Sequence, residues 1–190
     1  MTHLIWIIPL TLLIILAVGS KRSADRTSGS PRKVAKGEAS NSTAFTLRGG
    51  EWVEADAAFD AWTSQDLEKL QQAVSLKTNS VDRHFVLMGL VAETYRRRQD
   101  PEMAALCAST AETHIREFPT LMGPLKDSLD GILPRVPTFQ QYATLLTEQG
   151  DFERAKEVCR QAIEFGLLDG TKSGFEGRIK RIEKKELGVL

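Results

Sequence analysis

The sequence predicts an all-α protein: an N-terminal transmembrane helix, a disordered linker, then antiparallel helical hairpins. Three observations point that way. Residues 1–20 contain no Asp, Glu, Lys or Arg. Residues 21–50 are rich in Ser, Thr, Gly and basic residues and nearly empty of large apolar ones. From Glu51 onward, apolar residues recur at three- and four-residue spacing, with no sustained alternation of period two. A chain of 190 residues holds one modest domain plus accessories.

Leu4 to Val18 is an almost unbroken apolar run, and the uncharged stretch extends from Met1 to Ser20. As a helix this stretch is about 30 Å long at ~1.5 Å per residue, enough to span a bilayer. Trp6 suits an interfacial aromatic, and a membrane helix tolerates Pro9. The competing reading is a cleaved signal peptide, with Ala17-Val18-Gly19 as the small-residue site. Against it, only Thr2 and His3 precede the apolar run, so the positive n-region is missing. The positive charges start on the far side at Lys21-Arg22. The positive-inside rule therefore predicts a single-pass anchor whose C-terminal domain is cytoplasmic.

The linker, residues 21–50, holds seven basic residues against Asp25 and Glu38, a surplus of five positive charges in a chain of zero net charge. Its composition buries too little apolar surface to offset ordering entropy, which predicts disorder. The remaining domain, 51–190, is correspondingly acidic. That argues against sequence-independent nucleic-acid binding, which needs phosphate neutralisation.

Within 51–190 the signals mark a series of helices. Asp56–Trp62 and Ser64–Leu76 read as two short ones, and Val81–Arg98 as a longer one with Phe85, Met88, Val91, Ala92 and Tyr95 in register. Asp100-Pro101-Glu102 is a start signal, with a capping acid, a first-turn proline and an acid favouring the helix dipole. That helix is expected to stop before Pro119, with irregular chain over 121–133 because of Gly123-Pro124 and Pro134. Thr138 and Gln141 form a capping-box pattern opening the next helix, which ends at Gly150. Asp151–Phe165 follows, then a basic helix over 174–186.

The segment 138–166 carries a resemblance. Phe139, Tyr142-Ala143, Leu146, Gly150, Phe152, Ala155, Cys159 and Ala162 resemble the tetratricopeptide pattern, in which large residues on one helix meet small ones on the next around a glycine turn. Ala143, Ala155 and Ala162 would let two antiparallel helices approach closely. A degenerate copy spans 81–118, with Met88, Val91-Ala92, Tyr95, Ala104, Ala108 and Ala111. Tyr95 and Leu146 occupy equivalent places but lie 51 residues apart, against a usual period of about 34. The resemblance implies a tetratricopeptide-like α-solenoid of two units closed by the capping helix 174–186. A generic helical hairpin is the alternative.

Signals for chemistry are sparse. His3, His84 and His114 fall in no metal or triad motif, and Cys107 and Cys159 read as buried free thiols. Gly170-Thr-Lys-Ser-Gly174 superficially suggests a phosphate loop but lacks the preceding strand and the glycine spacing. No catalytic residue, metal ligand or cofactor is expected.

The expected function is a membrane-anchored adaptor or scaffold that binds a peptide or helix of a partner protein, as the resemblance implies. Its groove would be lined by the first helix of each unit, through Glu93, Arg96, Gln140, Gln141 and Thr144. The expected partners are a protein or peptide and, through residues 1–20, the lipid bilayer. Self-association stays open. The alternatives are a structural subunit of a membrane complex and an enzyme with no recognisable motif.

Overall fold

The structure is a computed structural model that describes residues 44–48 and 51–188. The expected transmembrane helix at 1–20, and the linker apart from 44–48, lie outside these residues. The chain divides into two units, and every described residue belongs to the second, Asn41–Leu190.

Alternating side chains open the unit as a hairpin. β1 (Phe45–Arg48) and β2 (Glu51–Glu54) pair antiparallel, with Phe45 opposite Glu54 and Arg48 opposite Glu51. The period-two pleat sends Thr46, Arg48 and Val53 to one face and Phe45 and Trp52 to the other. Phe45 and Trp52 are exposed.

Seven helices follow: α1 (Ala57–Ser64), α2 (Leu67–Ala73), α3 (Ser80–Arg96), α4 (Pro101–Ser128), α5 (Pro137–Gln149), α6 (Phe152–Glu164) and α7 (Gly174–Glu186). The predicted all-α class with a transmembrane helix is therefore corrected. The described residues are mostly helical but begin with a β-hairpin, and none of their helices is long and apolar enough to cross a membrane. The hairpin escaped detection because two four-residue strands are too short to establish alternation.

Short polar side chains start most of the helices. Asp56, Asp66, Asn79, Asp100 and Asp151 each accept a hydrogen bond from a first-turn backbone N–H. Gly150 and Gly166 take the left-handed conformation that ends α5 and α6.

α4 departs from expectation by running 28 residues through Pro119 and Pro124. Its apolar stripe does not stop at the proline: Ala111, Ile115, Phe118, Leu121 and Leu125 are all buried. Burying Phe118, Leu121 and Leu125 gains roughly 1.5–3 kcal/mol each. Together that is about 4.5–9 kcal/mol, comparable to the ~6 kcal/mol that two interior prolines cost. Pro119 lies on the exposed side, so its ring displaces no core atom.

Each helix packs on the next in the chain from α1 to α7, and α3 also packs directly on α1 and α5. α5 packs closely on α6. Ala143, Ala155 and Ala162 are fully buried, beside Phe139, Tyr142 and Leu146. α7 packs on α6 and buries Phe175 and Ile182, and Lys156 of α6 reaches Glu186 of α7 at 2.9 Å.

Candidate functional site: grooves between alternate helices

Consecutive helices that pack in sequence leave clefts between those next but one in the chain. Three such clefts stand out. The largest, about 510 Å³, lies between α4 and α6. A second, about 340 Å³, lies between α2 and α4 over Leu87 and Leu90 of α3. A third, about 210 Å³, lies between α5 and α7.

The α4–α6 groove combines an apolar floor with a charged rim. Ile115 and Pro119 of α4 face Phe165 at the end of α6. Phe165 is itself held edge-on by Phe118 and Phe139, with ring centroids 5.3 and 6.0 Å away. On the rim, Glu112 Oε1 accepts from the Tyr142 hydroxyl at 2.7 Å. Burial, then this carboxylate, pushes the phenol well above its ordinary range. Arg154 stands 3.9 Å from the same Glu112 oxygen and 2.7 Å from Glu157.

The rest of the rim is less committed. Among the described residues, Arg116 hydrogen-bonds only to the Thr113 hydroxyl, at 3.3 Å, and Glu164 has neither an ion-pair partner nor a side-chain hydrogen bond. Gln161 lines the groove with a buried side-chain oxygen that accepts no hydrogen bond. An orphaned acceptor of this kind costs roughly 1–3 kcal/mol until a donor reaches it.

The five residues expected to bind a partner are placed differently. Glu93 is buried and its carboxylate is held by Arg96 and, at 3.4 Å, by Arg97. Gln140 accepts from Arg135 at 2.5 Å, and the side-chain oxygen of Gln141 is buried without a partner. Thr144 lines the α5–α7 cleft. The first helices of the two expected units, α3 and α5, pack on each other directly. The largest groove opens instead between the second helices, α4 and α6.

A buried polar chain joins three helices. His114 of α4 places Nδ1 2.8 Å from Thr138 Oγ1 of α5 and Nε2 2.9 Å from His84 Nδ1 of α3. All three residues are fully buried, and His84 Nε2 has no partner. Among buried polar atoms, an orphaned N–H is rarer than an orphaned acceptor. This favours protons on Nδ1 of both rings, so that His84 donates to His114 and His114 to Thr138. Burial holds His84 down at about 4 and His114 well below its ordinary range, so both are neutral at pH 7. The relay also explains why the capping-box pattern of Thr138 and Gln141 is not used. α5 begins at Pro137 with no side-chain cap, because Thr138 is spent on His114. The sequence signal was available, since His84 and His114 both sit on apolar stripes.

Other features carry structure rather than chemistry. Asp82 is fully buried and accepts from Arg48 Nε at 3.1 Å and Nη2 at 3.0 Å, Trp62 Nε1 at 2.8 Å and Asn79 Nδ2 at 2.6 Å. This fastens the hairpin and α1 to the start of α3. Arg98 clasps Glu148 through two hydrogen bonds of 2.8 and 2.9 Å. The basic cluster Arg96-Arg97-Arg98 is thus engaged within the fold. Cys107 and Cys159 are free and buried, and burial pushes the Cys159 thiol up to about 11, which leaves it a poor nucleophile at neutral pH. The Gly170–Gly174 stretch is a turn, in which Asp169 accepts from the backbone and hydroxyl of Thr171. Among the described residues no group of His, Cys, Asp or Glu is arranged to hold a metal ion.

Comparison with protein-family models, curated proteins and solved structures finds no match to this chain.

Proposed function

We propose that this chain is a protein-interaction module that holds a segment of a partner protein in the groove between α4 and α6. The observation that carries this reading is Gln161. Its buried oxygen lacks a donor in the middle of a wall whose other members are apolar or charged. A peptide N–H would satisfy that oxygen, while an apolar side chain would cover Ile115, Pro119 and Phe165. Arg116 on one wall and Glu164 on the other suit a segment with opposite charges flanking its apolar anchor. A groove of about 510 Å³ has room for a few side chains of such a segment. Such a module serves as an adaptor or scaffold.

The test is site-specific photo-crosslinking in cells, with the photoreactive residue placed at Arg116 or Glu164 and, as control, at exposed Lys126 of α4. The expected result is one discrete adduct from both groove positions and none from Lys126. Equal labelling at all three positions, or none at the groove, overturns the reading.

A further inference from the structure

The cleft between α5 and α7 differs from the other two in charge. Its α7 wall presents Arg178, Arg181 and Lys185, spaced by three and four residues along one helix face. Ile182, almost fully buried, forms an apolar base between them. On the α5 wall, Thr144 and Thr147 donate their hydroxyl protons to the carbonyls of Gln140 and Ala143, so they offer no free donor. Glu148 is the one acid in the lining, and its carboxylate is taken up by both arms of Arg98.

The basic side chains are less occupied. Among the described residues, exposed Lys185 has no hydrogen-bond or ion-pair partner, though its charge helps hold Glu148 ionised, and Arg181 hydrogen-bonds only to the Ser173 hydroxyl, at 3.2 Å. Arg178 binds Thr144 at 3.1 Å and Asp169 at 3.4 Å, and its Nε–H has no acceptor. Positive charge is therefore in surplus at this cleft, on a domain whose sequence is acidic as a whole. The volume of about 210 Å³ equals about seven waters at ~30 Å³ each, enough for one or two side chains and too little for a helix.

We infer that the α5–α7 cleft binds an acidic peptide segment of a partner protein, with adjacent carboxylates facing Arg181 and Lys185. Charge complementarity selects the occupant. Arg181 and Lys185 stand four residues apart on one face of α7, so they match neighbouring carboxylates carried on one chain. This site shares no lining residue with the α4–α6 groove and stands whether or not that groove holds a ligand.

The experiment measures fluorescence anisotropy of a fluorescein-labelled peptide alternating leucine and glutamate, added to the full chain. A glutamine-for-glutamate version and vesicles containing phosphatidylserine form the other two arms. The peptide is expected to bind saturably, and the glutamine version at least about tenfold more weakly. The double variant R181E/K185E should weaken binding by about tenfold or more, as reversal of two close charges implies. Both positions are exposed, so circular dichroism of the variant should match the parent. Equal binding of the glutamine peptide, or unchanged affinity in R181E/K185E, overturns the inference. Charge-dependent binding to the vesicles without binding to the peptide also overturns it, in favour of a lipid surface.

Discussion

His114 Nε2 lies 2.9 Å from His84 Nδ1 with neither imidazole reaching solvent. Charging either ring costs desolvation with no carboxylate in contact to offset it. The rings contact Phe85, Phe118 and Thr138, and a charge on His114 is opposed further by His84 and then by the nearby guanidinium of Arg83.

Stability should therefore fall on mild acidification. His84 titrates at about 4 in the fold against an ordinary value of 6.5, so it is depressed on folding. Its contribution is fully present above pH 6.5 and is lost as pH falls toward 4, where the unfolded chain alone takes the proton. A depression of this size amounts to about 3 kcal/mol. Thermal melts across pH 7.5 to 5 should show a declining Tm before the carboxylates titrate, since Glu117 and Glu148 are held low, mainly by Arg83 and Arg98. The double variant His84→Leu, His114→Leu should flatten that decline, and a slope unchanged in the double variant would refute the assignment.

Replacing Asp82 with Ala should detach the hairpin. The change removes the carboxylate that accepts from the Arg48 guanidinium, the Trp62 indole N–H and the Asn79 amide. Removing one partner of a buried charge typically costs 3–5 kcal/mol. Hydrogen exchange should show lost protection across Phe45–Glu54 and the start of α3, with α5 and α6 retaining theirs. Uniform loss would mean that the hairpin is not separately fastened.

Ala155→Leu should cost roughly 1–3 kcal/mol by overfilling the α5–α6 contact. Arg160→Leu, on the exposed side of the same helix, should stay within about 0.5 kcal/mol. Denaturant midpoints of the two variants measure the difference, and equal midpoints would show that the alanine contact is loose.

Pro119→Ala should stabilise the protein, because it restores an amide donor in the middle of α4 at an exposed position. The gain should be on the order of 1–3 kcal/mol, the interior proline cost less the entropy proline removes from the unfolded chain. A lower Tm would show that the ring itself holds the helix in shape.

Much of the helical pattern was legible because caps and periodicity are local. Asp100 caps α4, Gly150 and Gly166 end α5 and α6, and Ala143, Ala155 and Ala162 are buried. What stayed hidden depends on residues far apart in sequence. Thr138 reads as a cap until His114, 24 residues away, claims its hydroxyl. Pro119 reads as a stop until Leu121 and Leu125 are seen to continue a buried stripe. Arg48 reads as linker charge until Asp82, 34 residues on, accepts from it. The candidate groove was missed for the same reason. Which alternate helices touch and which stand apart follows from how three of them stack, and no single helix records it.

The neighbour-to-neighbour order of the helices has a kinetic consequence. Most strong contacts join elements that are adjacent or next but one in the chain, so few long loops must close before burial begins to reward them. Refolding from denaturant should be fast, within about milliseconds as for other folds built from local contacts. The pairing of Arg48 with Asp82, which joins the hairpin to α3, should be among the later steps. Stopped-flow traces following Trp52 and Trp62 would resolve that order.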